Sequence, residues 1–129
     1  MIARTIAAAY GSKVTLQDGS GLSRKDKTSP REVVDLLRGI QKTVAYSDFR
    51  AALPIAGVDG TLVNRMKSTA AQKRCSAKTG TLSNVSALSG WCTTVGGDLV
   101  AFSILQNNVG VTAAHSQQDK IAAAIAGLN

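Results

Sequence analysis

Residues 75–107 read CSAKTGTLSNVSALSGWCTTVGGDLVAFSILQN, and this stretch decides the fold. Three runs within it, Cys75–Leu82, Val85–Thr94 and Leu99–Gln106, are rich in small, β-branched and aromatic residues and predict β-strands. Ser83-Asn84 separates the first two runs, and Gly96-Gly97, a strong two-residue hairpin signal, separates the second from the third. The expectation is an antiparallel meander. A turn at Ser83-Asn84 sets Cys75 opposite Cys92, where a cross-strand disulfide is geometrically possible. A one-residue slip would leave two small buried thiols instead. A turn centred on Gly96-Gly97 sets Trp91 opposite Phe102 as an aromatic pair.

Upstream of this stretch the periodicity is helical. Ser29-Pro30-Arg31-Glu32 carries a complete helix start: Ser29 caps, Pro30 fits the first helical position and Glu32 closes a capping box. Behind it Val33, Leu36, Leu37, Ile40 and Val44 fall on one helix face, and a second short helix ends before Pro54. Lys13 to Leu16 is β-prone and is closed by Asp18-Gly19, while Ile2, Ile6 and Ala9 have helical spacing. Downstream, from about His115 to Ala126, Ile121, Ile125 and Leu128 recur at helical spacing before the stop at Gly127. Helices, then a meander, then a closing helix make the fold class α+β, an antiparallel sheet with flanking helices.

The chain has 129 residues, 44% hydrophobic and 18% charged, so it is globular and forms one domain at most. No apolar run approaches a membrane span. The opening apolar patch is too short for a signal-peptide core, so no export signal is expected in these residues. The net charge of +7 invites a polyanion partner. However, the cations are scattered, and they lack the interleaved aromatics of single-strand nucleic-acid binders, so no nucleic-acid partner is expected.

The chemistry centres on Ala77-Lys78-Thr79-Gly80-Thr81-Leu82. A strand edge offers backbone N–H and C=O groups that hold an extended peptide as an added strand. Beside it a lysine supplies positive charge for a substrate carboxylate and for proton transfer. A hydroxyl can bind the same carboxylate, and a glycine lets another backbone come close. A Lys-Thr-Gly triplet alone has an equally good bland reading, a solvent-facing Lys and Thr on an ordinary strand.

The surrounding segments favour the first reading. In order along the chain stand Asp18-Gly19-Ser20-Gly21-Leu22-Ser23-Arg24, Leu53-Pro54-Ile55-Ala56-Gly57-Val58-Asp59-Gly60-Thr61-Leu62, Lys78 through Val85, and Ala87-Leu88-Ser89-Gly90-Trp91. From about residue 14 onward this set closely resembles the C-terminal third of the class C low-molecular-mass penicillin-binding proteins. Those are exported, serine-type D-alanyl-D-alanine carboxypeptidases and endopeptidases that trim peptidoglycan. The resemblance implies the C-terminal portion of the β-lactamase/transpeptidase-like fold, with residues 1–129 a single partial domain. It also implies roles. Lys78 serves the proton-transfer network, Thr79 contacts the terminal carboxylate of D-alanine, and Gly80 gives the substrate room. The backbone N–H of Thr81 donates to the oxyanion hole, and Leu82 borders the substrate side-chain pocket. The implied partners are a peptidoglycan peptide or a β-lactam; the implied location is the periplasm or cell wall. No cofactor is implied, because acyl transfer through an activated serine needs none.

Two of the family's motifs are missing from these residues. No Ser is followed three residues later by Lys, and none is followed two residues later by Asn. The chain is therefore expected to be inactive alone. It would be either one wall of a carboxypeptidase site completed by an N-terminal segment, or a non-catalytic module that binds a cell-wall peptide or a partner. Exposed apolar sheet surface should also favour self-association. Ser20 and Ser23 read as parts of a turn, not as nucleophiles. The lone His115 has no cluster to make it a metal ligand or triad member, and Asn84-Val85-Ser86 reads as a turn despite its sequon form.

Overall fold

The computed structural model describes residues 2–129, with side chains from Arg4 onward; Met1 and the side chains of Ile2 and Ala3 lie outside it. The elements run α1 (Ile2–Ala9), α2 (Pro30–Gln41), α3 (Tyr46–Ala51), a 3₁₀ turn (Gly60–Leu62), β1 (Cys75–Leu82), β2 (Val85–Thr93), β3 (Leu99–Asn107) and α4 (Val111–Ala126). The three strands form one antiparallel sheet in the order β1-β2-β3. Among the described residues, no helix is long and apolar enough to cross a membrane.

The first hairpin folds as the sequence predicts. Leu82 pairs with Val85 across the two-residue turn, and the same register brings Cys75 opposite Cys92. Both cysteines are fully buried and form a disulfide, with their Cα atoms 4.0 Å apart. The second hairpin departs from the expected register. Its loop spans residues 94–98, the Asp98 C=O accepts from the Thr94 N–H at 2.8 Å, and Gly97 takes the positive φ of +96°. Five loop residues instead of a centred pair shift the pairing by one, so Trp91 faces Ala101 and Phe102 faces Gly90. One step of register turns a side chain to the other face. Trp91 and Phe102 thus belong to different cores.

On one face Trp91 packs with Leu37 and Leu53, flanked by Val33, Tyr46, Leu99 and Ala101. Tyr46 and Phe49 meet its ring edge-on, at centroid distances of 5.3 and 6.1 Å. The indole N–H finds no acceptor among the described residues, so packing holds the ring. Helix α2 reaches this face through the expected start: the Ser29 side chain accepts from the Glu32 N–H, and the Glu32 carboxylate accepts from the Ser29 N–H. The helix stops at Gln41, which leaves Val44 outside it and fully exposed, not on its apolar face as expected.

On the opposite face Cys75, Ala77, Leu88, Cys92 and Phe102 pack with Leu62, Met66, Ala122 and Ala126. Helix α4 begins at Val111, four residues before the expected start, and buries Ala114, Gln118, Ala122 and Ala126. The expected stripe of Ile121, Ile125 and Leu128 is rotated away. Ile121 and Leu128 are exposed, and Ile125 only flanks the core. The small alanine side chains let the helix lie close to the sheet. Gln118 is accommodated by hydrogen bonds: its Nε2 donates to Ser86 Oγ and Gln106 Oε1, and its Oε1 accepts from Arg65. Because helices cover both faces, the exposed apolar sheet surface expected from the sequence reduces to a groove and the strand edges.

The disulfide closes a chain segment with a sequence separation of 17. Replacing both cysteines by alanine should lower the unfolding free energy by about 3 kcal/mol through the unfolded state's regained freedom. Urea unfolding of the two forms measures this, and an unchanged midpoint would contradict it.

Candidate functional site

Strand β1 is an edge strand, and its outer side is only half used. The Ala77 N–H donates to the Pro54 C=O at 3.0 Å, and the Ala56 N–H donates to the Cys75 C=O at 2.9 Å. These bonds fix the phase of the edge, because along an antiparallel strand alternate residues turn both backbone groups to the same side. With Cys75 and Ala77 directed outward, Thr79 and Thr81 follow. The Pro54–Ala56 segment ends before them, and no backbone donor or acceptor among the described residues pairs with their outward groups. From Thr79 onward the edge has no backbone partner among the described residues.

The expected site residues surround this opening. Lys78 is exposed on the α2/α3 side, and its Nζ donates to the Thr79 C=O at 2.6 Å. The Thr79 hydroxyl donates to Thr61 Oγ1 at 3.0 Å, which ties it to the turn after Pro54. Thr81 is exposed. A Cβ added at Gly80 would meet only the Ala87 Cβ, at 3.4 Å. Packing within this chain therefore does not demand glycine there, and the bare backbone benefits only something arriving from outside. Lys78, Thr79 and Gly80 also line an apolar groove of 460 Å³ walled by Leu36, Leu37, Phe49 and Leu53.

Leu82 lies apart from these, at the far end of β1. It lines a second groove, of 720 Å³, with Leu16, Arg24, Asn84, Leu105 and Asn107. Here the structure brings in a residue the sequence left without a role. The Arg24 guanidinium donates to Ser83 Oγ at 2.8 Å and to Asn84 Oδ1 at 3.0 Å, fastening the loop before α2 to the β1–β2 turn. Only the position of Arg24 at the end of the Gly-Ser-rich turn hinted at it. Thr61 and Pro54–Ala56 were likewise within quoted motifs but unassigned, since nothing local shows which strand they meet.

The loop carrying Arg24 is a turn built on itself. Thr15 and Lys27 form a single β-bridge where a strand from Lys13 to Leu16 was expected, and the Asp26 carboxylate accepts from the Gln17 N–H. Asp18 Oδ1 accepts from both the backbone N–H and the hydroxyl of Ser20. The backbone bond, foremost, and then the hydroxyl bond hold the Asp18 carboxyl below its usual pKa. A carboxylate so stabilised is a poor base for activating Ser20. Ser23 Oγ accepts from the Lys25 N–H. Both serines thus bond inside the turn, as the sequence implied. His115 sits near Arg65, whose Nη2 donates to the His115 C=O. No group of metal-ligating residues exists among the described residues.

The sequence profile of the D-Ala-D-Ala carboxypeptidase 3 (S13) family matches residues 9–128. A D-alanyl-D-alanine carboxypeptidase from an Actinomadura species is 45% identical over 118 residues, covering 88% of this chain and 22% of that protein. The D-alanyl-D-alanine carboxypeptidase DacB of Haemophilus influenzae is 39% identical over 95 residues, covering 72% of this chain and 20% of that protein. The structure of penicillin-binding protein 4 from the same organism, complexed with a novel β-lactam, superposes with a TM-score of 0.76 at 32% identity. It covers 85% of this chain, which spans 28% of that one. The sheet and its helices are thus those of the penicillin-binding, transpeptidase-like fold. The chain spans about a fifth of the curated relatives' length.

Burial, then the nearby Arg65 charge, push the His115 imidazole below its ordinary value of 6.5, with Asp119 opposing them. The folded chain thus favours the neutral ring, and the unfolded chain takes up the proton first as pH falls. The stability contributed by the neutral ring is therefore present above 6.5 and lost as pH falls from there through the lower folded value. An NMR titration should place the His115 midpoint below 6.5, and Arg65→Leu should raise it. A midpoint at or above 6.5 in the unsubstituted chain would sink this reading.

Proposed function

The chain belongs to the D-Ala-D-Ala carboxypeptidase 3 (S13) family, and from that premise we propose that its β1 edge is the substrate-holding wall of a serine-type D,D-carboxypeptidase acting on peptidoglycan stem peptides. One observation carries the proposal: the outward backbone groups of Thr79 and Thr81 have no backbone partner among the described residues, beside an exposed lysine whose Nζ alone reaches the Thr79 C=O. An extended acyl-peptide ending in D-alanine adds to this edge as a strand. Its terminal carboxylate meets the Thr79 hydroxyl and the charge of Lys78. The carbonyl to be attacked lies at the Thr81 N–H, which stabilises negative charge as it develops on the oxygen. Gly80 keeps the approach clear. Leu82 and the groove it shares with Arg24 receive the side chain preceding the D-alanines.

The reaction has two displacements. A serine hydroxyl adds to the penultimate D-alanine carbonyl, its proton passes through a base to the leaving nitrogen, and D-alanine departs. Water then cleaves the acyl-serine ester. Lys78 assists these proton transfers as a neighbouring cation. The serine, and the lysine that takes its proton, belong to another part of a longer protein, of which residues 1–129 form a partial domain. This chain alone accordingly does not turn over. A β-lactam uses the same edge, its carboxylate and reactive carbonyl standing for those of the peptide. The buried disulfide favours a parent protein working outside the cytoplasm, in the periplasm or cell wall.

Intact mass after incubation with a penicillin tests the proposal. The 129-residue chain should gain no adduct, and a parent carrying the upstream motifs should gain one penicillin. In that parent Thr81→Pro removes the outward N–H without touching the β2 ladder. It should slow acylation by about 10²- to 10³-fold, the usual loss on deleting an oxyanion donor. Lys78→Ala should slow it by a similar factor, within the range of lost acid–base assistance. Unaltered acylation in both variants would refute the assignment of the edge. A parent that binds stem peptide at β1 but never acylates would establish a non-catalytic binding module instead.

A further inference from the structure

Gln118 is fully buried in α4, in a stripe otherwise made of Ala114, Ala122 and Ala126. Its amide is aimed at a single row of the sheet. In that row Thr81 of β1 pairs with Ser86 of β2, and Ser86 pairs with Gln106 of β3. Ser86 and Gln106 point to the α4 side, because their alternate neighbours Leu88 and Ile104 belong to the core beneath that helix. Gln118 Nε2 donates to Ser86 Oγ at 2.9 Å and to Gln106 Oε1 at 3.0 Å. Arg65 Nη2 holds the other end of the amide, donating to Gln118 Oε1 at 3.0 Å, and also pairs with Asp119 at 2.7 Å. Arg65 Nη1 is buried with no partner among the described residues. An apolar side chain at 118 would be buried without any of these demands. Stability alone therefore does not account for the network. Its bonds are directional, and what they fix is position.

We propose that Gln118, acting through Ser86, is a positioning residue for the Thr81 N–H; the inference rests on the role proposed above for that donor. The phase of the edge turns the Thr81 N–H and C=O outward, so Thr81 and Ser86 exchange no ladder bonds and form a pair of the closely spaced kind. Thr81 is thus placed by its flanking pairs, Gly80–Ala87 and Leu82–Val85, and by Ser86 facing it. This row lies next to the Ser83-Asn84 turn, at the end of the hairpin remote from the disulfide, where the covalent link constrains it least. Two clamps act there instead. Arg24 fastens the turn itself. Gln118 fastens the row behind it from the α4 side, and Arg65 keeps the amide from turning. A donor displaced by a fraction of an ångström loses much of its effect on a developing oxyanion, so a directional anchor behind Thr81 has a use that alanine contacts cannot supply.

The test uses the parent carrying the upstream motifs. Ser86→Ala and Gln118→Met should each slow penicillin acylation by about ten- to a hundredfold, the cost of misplacing a reacting group by up to an ångström. The affinity of the noncovalent penicillin complex should not change. Infrared difference spectra of the acyl-enzyme, made with penicillin isotope-labelled at the ring carbonyl, read the donor directly, since a hydrogen bond lowers the carbonyl stretching frequency. In both variants the stretch should rise toward that of Thr81→Pro. Ala122→Gly serves as the control: it loosens the same helix where its backbone approaches the disulfide sulfurs, away from the row. It should lower the melting temperature and leave the stretch unmoved. A stretch that moves equally in Ala122→Gly would reduce the network to general support and overturn the inference. Normal acylation with an unshifted stretch in Ser86→Ala would overturn it too, and that variant, which removes a single hydroxyl, decides the matter if Gln118→Met does not fold. If Thr81→Pro moves both readouts and Ser86→Ala neither, the positioning role alone falls. If Thr81→Pro itself changes nothing, the reading of the edge fails and this inference with it.

Discussion

The phase of the β1–β2 ladder governs the rest of the molecule. Two-residue closure at Ser83-Asn84 makes every pair from Leu82–Val85 back to Cys75–Cys92 follow. The disulfide then holds the open end of the hairpin in that register. A slip of one residue would exchange the faces of the sheet. It would bring Lys78 and Gly80 to the α4 side and turn the outward groups of Thr79 and Thr81 into ladder bonds. The buried link and the exposed edge are therefore one constraint seen at two ends of a hairpin.

Each face translates that phase into packing. Trp91 projects toward α2 and α3, where aromatic edges and leucines enclose it. Leu88, Cys92 and Phe102 project toward α4. Close approach on that side requires small residues from the helix, and Ala114, Ala122 and Ala126 meet the need. Gln118 interrupts this apolar stripe, yet Ser86, Gln106 and Arg65 satisfy its amide. A buried amide with such partners ties the helix to a particular sheet position, whereas alanines alone would let it slide.

Strand limits, the first hairpin register and the α2 start were legible because local chemistry sets them: a tight turn, alternating side chains and a capping box. The α4 stripe was not. Ile121 and Leu128 look like core residues on hydropathy, but contact distance rather than hydropathy selects Ala122 and Ala126. The Trp91–Phe102 pairing failed because Gly96-Gly97 advertises a two-residue turn, while bonds from Thr94 to Asp98 hold five residues in the loop. At the site, Lys78-Thr79-Gly80 stood out as a string. Arg24 and Thr61 did not, since each acts on residues far along the chain, Arg24 at 59 and 60 positions and Thr61 at 18.

A free strand edge is both a binding device and a hazard, and the arrangement of β1 follows from that. An edge that is to accept a peptide, as proposed for β1, cannot be paired or carry proline at its donors, and β1 has neither a backbone partner among the described residues nor a proline at Thr79 and Thr81. What protects it is the feature the proposed chemistry would also need: a lysine whose charge would draw in a carboxylate and disfavours a second, equally cationic strand. The nearby Pro54–Ala56 segment narrows the opening to the stretch from Thr79 onward, where the proposed substrate would bind. Rigidity follows from the same arrangement. The Thr81 N–H is held by a strand bonded to β2, not by a loop, so in the proposed role it would be aligned before charge develops on a substrate oxygen. Such preorganisation is what makes a hydrogen-bond donor effective in a transition state.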